Sequence, residues 1–129
     1  MIADTSFLFA LYSRPDAHHA QALSKFGELM QEEGRMLVPS EVAVELCSLI
    51  TYRMGLDEAL AVVDRLSQDP VFILEGFRSI YEISGILREL GAKISYTDAA
   101  VLLHSQITRQ EILTFDRQMQ SLCKRLAKG

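Results

Sequence analysis

Four short apolar runs read as β-strands in this chain, and none lies close enough to the next to form a hairpin with it. They are Met1 to Asp4, Met36 to Val38, Val71 to Leu74 and Glu111 to Phe115. Antiparallel strands can be joined by a two-residue turn, whereas parallel neighbours need a crossover of a dozen or more residues, usually a helix. Every stretch between these runs carries helical patterning. Phe7 to Leu11 is a short apolar helix, and Asp16 to Glu33 a long amphipathic one stopped by Gly34. Ser40, as N-cap, opens a helix to about Arg53, and after Gly55 another runs from Leu56 to Ser67. Arg78 to Leu90 ends at Gly91, Thr97 caps a helix from Asp98 to Ile107, and Asp116 to Lys128 closes the chain. The expected fold is α/β, three layers, with a central parallel sheet covered by helices on both faces.

The 129 residues suffice for one domain with its own core, spanning 1–129. No apolar stretch is long enough to cross a bilayer and no basic leader precedes one, so a cytoplasmic protein without membrane contact is expected. Cys47 and Cys123 lack metal-type spacing and sit among apolar neighbours, which suits small core residues in a reducing compartment. A formal net charge of −4 argues against a non-specific phosphate binder. Nucleic acid would have to be met through a local patch, such as Arg109, Arg117, Lys124, Arg125 and Lys128, or through a bound metal.

In a parallel α/β sheet the carboxyl ends of the strands share one edge, and ligands bind in the crevice there. Asp4, Glu45, Asp98 and Asp116 each fall where a strand-like run gives way to a helix, or within the following helix. Taken singly, each has a structural explanation, as an N-cap or as first-turn dipole complement. That explanation does not account for several acids at corresponding strand-to-helix points. Glu41 and Glu45 share one side of a helix whose apolar stripe is Val42, Leu46, Leu49 and Ile50. At about 100° per residue Glu45 borders the stripe while Glu41 turns further away, so Glu45 is the better site candidate and Glu41 a first-turn charge. Ser6 can orient the carboxylate of Asp4. His18 and His19 are adjacent and diverge on a helix, and His104 lies in an apolar run as a packed histidine. Without histidine or cysteine spacing, an all-oxygen site suits Mg²⁺ or Mn²⁺ better than zinc.

Four segments together carry a resemblance: Ile2-Ala3-Asp4-Thr5-Ser6, Val38-Pro39-Ser40-Glu41-Val42-Ala43-Val44-Glu45, Ser95-Tyr96-Thr97-Asp98-Ala99 and Leu113-Thr114-Phe115-Asp116. In order and spacing the chain resembles the PIN-domain family, and within it the VapC-like toxins of prokaryotic toxin–antitoxin pairs. The resemblance implies a PIN-like sheet of four to five short strands and a metal-dependent endoribonuclease. By position, Asp4, Glu45, Asp98 and Asp116 match the family's acidic quartet, with Thr114 as a helper hydroxyl and Ser6 in support. Asp4 and Asp98 would then be the main ligands of Mg²⁺ or Mn²⁺. Asp116 would act directly, through water or on a second ion, and Glu45 would position or deprotonate the attacking water. RNA as substrate, a cognate antitoxin and a homodimer are the partners it implies.

Other folds also place acids at strand ends. A haloacid-type phosphatase wants a second Asp two residues after Asp4, where Ser6 stands, and a receiver domain wants an acceptor Asp after the third strand, where Leu74-Glu75-Gly76 offers none. The rival from another class is a catalytically weak PIN-like module working through protein binding, with Leu46 to Ile50 and Leu56 to Leu66 as its apolar surface.

Overall fold

The computed structural model describes residues 1–128. Its strands are β1 (Ile2–Ala3), β2 (Met36–Pro39), β3 (Phe72–Glu75) and β4 (Ile112–Leu113), all parallel, in the order β3-β2-β1-β4. Ile2 pairs with Leu37 on one side and Ile112 on the other, and Met36 through Pro39 pair with Phe72 through Glu75. The helices are α1 (Thr5–Tyr12), α2 (His19–Gln31), α3 (Ser40–Met54), α4 (Leu56–Gln68), α5 (Ile80–Leu90), α6 (Tyr96–Thr108) and α7 (Arg117–Lys128). This is the α/β/α architecture expected of the crossover spacing, with four strands. Among the described residues no helix is long and apolar enough to cross a membrane.

β1 and β2 are buried throughout, so their side chains read as continuous apolar runs rather than an alternating pattern. Around them pack one side of each long helix: Val42, Leu46 and Ile50 from α3, Ala59, Val62 and Leu66 from α4, and Ile83, Ile86 and Leu90 from α5. Leu46 and Ile50 are therefore core rather than docking surface, whereas Leu56, Leu60 and Val63 remain exposed. α6 is buried almost around its whole start, through Ala99, Ala100, Val101 and Leu102.

Several helix ends differ from expectation, each for a local reason. Pro39 occupies the cap position of α3, and the Ser40 hydroxyl instead donates to the Glu75 carbonyl (2.6 Å), tying α3 to the end of β3. Ser95, not Thr97, caps α6 by accepting from the Asp98 amide (3.0 Å). Ser79 and Glu82 form a capping box that starts α5 later than Arg78. Asp16 is absorbed in a turn, accepting from the His18 amide (2.8 Å), so α2 begins only at His19. β4 is shorter than the apolar run because Thr114 and Phe115 are drawn into bonds with Ser6 and Asp116, described below.

At the end of α2 the left-handed residue is Glu33 (φ 53°), with Gly34 one place beyond. The Gly34 amide reaches back to Leu29 (2.9 Å) and that of Glu33 to Met30 (3.2 Å), the paired bonds of a Schellman turn. A side chain in that conformation costs about 1 kcal/mol, because Cβ crowds the following carbonyl. Glu33→Gly should therefore stabilise the chain by up to about 1 kcal/mol, read as a higher urea midpoint at unchanged slope.

Candidate active site

The strand order fixes where a crevice opens. The chain steps outward from β1 to β2 to β3, then returns to place β4 on the other side of β1. The crossovers on the two sides of the β1/β4 seam therefore lead in opposite directions, and the carboxyl ends of these strands form the switch point at which α/β proteins bind ligands. Asp4 follows β1, and Asp116 lies just past β4.

Asp4 is 2% exposed and serves as the N-cap of α1. Its Oδ1 accepts from the Phe7 amide (2.9 Å) and the Ser6 hydroxyl (2.7 Å). Having given its only proton to Asp4, Ser6 Oγ accepts from the Phe115 amide (3.0 Å) and sits 3.3 Å from Thr114 Oγ1. Thr114 Oγ1 in turn accepts from the Asp116 amide (3.0 Å), and Asp116 Oδ1 caps α7 through the Met119 amide (3.1 Å). Ser6 and Thr114 thus stitch the two acids across the seam. Burial pushes the Asp4 carboxyl above its ordinary range and the charge of Asp116 adds to this, while hydrogen bonds from Thr114, Phe7 and Ser6 oppose the rise.

Asp98, in the first turn of α6, is the point on which the other acids act. Burial raises its carboxyl first, then the negative charges of Asp116, Asp4 and Glu45, to about 6. Residues from β1, α3, α6 and the β4–α7 junction are therefore near enough to share one electrostatic field. None of the four pairs with lysine or arginine among the described residues. Among the described residues, no three histidine, cysteine, aspartate or glutamate side chains are gathered closely enough to hold a metal ion by themselves. The donor set that these acids offer is all oxygen, the kind that Mg²⁺ takes when it keeps several waters and is bound through one or two carboxylates.

Glu41 is the first-turn acid of α3, as expected, but its carboxylate also makes long-range bonds. Its side chain is 11% exposed; Oε1 accepts from His104 Nε2 (3.1 Å) and Oε2 from the Arg78 amide (2.9 Å). His104 is the packed histidine expected, with a partner that nothing in the sequence signals. Of the adjacent histidines, His19 donates to the Ala10 carbonyl (2.7 Å), and half-exposed His18 stacks on Phe115. A cavity of about 570 Å³ between α6, β4 and α7 is lined by none of the four acids. A smaller one of about 350 Å³ reaches Ser6 and Asp116 and also takes in Arg53, which the sequence reading left out. Convergence of charge, rather than volume, picks the site.

The PIN-domain family model matches residues 1–125 of the sequence. The chain belongs to the PIN-domain family. Domains of this family are generally nucleases. Among solved structures, this PIN domain is similar to VapC20 of Mycobacterium tuberculosis, a Sarcin-Ricin loop cleaving toxin, with a TM-score of 0.76 at 20% identity, over 94% of this chain and 93% of that one. It is also similar to FitAcB from Neisseria gonorrhoeae, with a TM-score of 0.65 at 16% identity, over 92% and 88%. At these identities the likeness is one of fold. No curated protein matches the sequence.

The raised Asp98 carboxyl sets a pH dependence whose sign can be worked out. A folded-state value of about 6 against an ordinary 3.8 means that the folded chain binds the proton more tightly than the unfolded one. Without metal, Asp98 therefore opposes folding fully above pH 6, and this cost is relieved as the pH falls toward 4. The melting temperature in EDTA should rise by a few degrees between pH 7 and pH 5 relative to Asp98→Asn, in which this component is absent. A parallel pH profile in the two proteins would contradict the shift.

Proposed function

We propose that this PIN domain is a Mg²⁺- or Mn²⁺-dependent endoribonuclease of the VapC type. The observation that carries the reading is the convergence of Asp4, Glu45 and Asp116 on Asp98, none of the four being ion-paired with a lysine or arginine among the described residues. Asp4 and Asp98 would hold the cation, with Asp116 beside them. When bound, the cation would supply a more acidic water and a counter-charge for the phosphodiester. Glu45 would take the proton of that water or orient it. Ser6 and Thr114 would keep Asp4 and Asp116 in register, acting through the carboxylates and not on the RNA.

The test is cleavage of total RNA in Mn²⁺, with mapping of the cut sites. Asp4→Asn and Asp98→Asn should each lower the rate by at least about 100-fold, since removing even an outer hydrogen-bond partner of a metal ligand costs about 10–100-fold. Ser6→Ala should fall in that smaller range. Undiminished cleavage by Asp98→Asn would contradict the assignment.

A protein partner is the second part of the reading, an antitoxin or another copy of the chain. Leu56, Leu60 and Val63 recur on one side of α4 and are 60%, 51% and 42% exposed, beside Tyr52 of α3 at 89%. Exposed apolar side chains gathered in this way mark association surfaces more often than isolated ones do. Leu60→Glu should shift a wild-type oligomer toward monomer in light scattering, or abolish capture of the product of a neighbouring antitoxin reading frame. An unchanged mass together with unchanged capture would remove this face from consideration.

A further inference from the structure

The cavity of about 350 Å³ that Asp116 and Asp16 help to line also has aromatic, cationic and hydroxyl-bearing walls. It is at the small end of ligand pockets, which run from about 300 to 1,000 Å³. Three rings lead outward to it. Phe7, buried, stacks on Phe115 with centroids 5.7 Å apart at 18°, and Phe115 stacks on His18 at 4.5 Å and 9°. The ladder ends on an imidazole whose side chain is 47% exposed. Arg53 enters the same cavity with its guanidinium 5.3 Å from the Phe9 ring centre, and it pairs with no carboxylate among the described residues. Thr5, also in the wall, has a buried hydroxyl oxygen with no hydrogen-bond partner. Asp16 holds the ladder's outer end, accepting from the His18 amide (2.8 Å) with Oδ1 3.8 Å from His18 Nδ1.

An open flat ring, an unpaired cation and an unsatisfied hydroxyl next to a cluster of acids call for a ligand that is flat, anionic and hydrogen-bonding. Resting on the nuclease reading above, we propose that this cavity seats one unpaired RNA nucleotide next to the scissile phosphate. Its base continues the Phe7–Phe115–His18 stack, and a flanking phosphate lies against Arg53. Thr5 supplies a hydroxyl to the sugar or base. Aromatic and histidine rings receive bases only when these are splayed out of a duplex, so the nucleotide seated here is unpaired. Stacking is tolerant of base identity, since every base has a π-face. The subsite therefore selects for an unpaired position rather than for a sequence.

Binding of fluorescein-labelled single-stranded RNA, followed by anisotropy in EDTA, tests the subsite without any turnover. His18→Ala and Arg53→Ala should each weaken binding by about tenfold, the usual scale for losing one stacked base or its anchor. Both residues are exposed, and unchanged melting temperatures would establish that the variants keep the fold. An abasic residue walked along the oligonucleotide should cost the wild type about tenfold at one position, and His18→Ala almost nothing there. Equal affinity of wild type and both variants, or an abasic penalty that His18→Ala leaves intact, overturns the subsite even if Mn²⁺-dependent cleavage is present. Loss of affinity in the variants, with no cleavage by the wild type in Mn²⁺, sustains the subsite and overturns the nuclease reading alone.

Discussion

The seam between β1 and β4 is the constraint on which the candidate site rests. Two-residue strands offer little ladder of their own, and here side chains complete it: Asp4 donates its amide to the Leu113 carbonyl, and Ser6 accepts from Phe115 while donating to Asp4. The same few atoms finish the sheet, cap α1 and orient an acid. A carboxylate without Ser6 would still cap the helix, but it would lose its link to the other side of the switch point.

Gathering acids works against folding, and the molecule offsets this in two ways. It spends hydrogen-bond donors on the most deeply buried carboxylate, Asp4, and it surrounds the group with a rigid apolar core from α1, α3 and α6. Asp98 receives less: a single serine at the helix start opposes burial and three like charges. An acid held in this way is poorly satisfied until a cation arrives, which is how stability is commonly exchanged for function at a site.

Much of the fold was legible because its signals are local or periodic. Strand spacing excluded hairpins, Gly34 and Gly91 marked helix ends, and the wheel separated Glu45 from Glu41. Cap identity was less legible, since Ser40, Thr97 and their neighbours are all competent caps and tertiary bonds decide among them. The Ser40 hydroxyl, for example, was claimed by β3. The bond between Glu41 and His104 was not readable at all. It joins residues 63 apart, and each one alone has an adequate local explanation. Arg53 was hidden for the same reason, as an ordinary cation near the end of α3 that gains meaning only from the wall it shares with Thr5 and His18.

That long-range bond has a mechanical consequence. Glu41 lies one turn before Glu45 on α3, and His104 lies under two turns beyond Asp98 on α6. The buried contact is therefore a fulcrum between the two helices that carry these acids, with the Arg78 amide bracing it from the β3–α5 connection. With the helices pinned there, the gap between Glu45 and Asp98 is set by rigid lever arms rather than by the repulsion of their charges. A group entering the crevice would then meet two acids whose helices are already tied together nearby, and adjustment would fall first to water and side-chain rotamers.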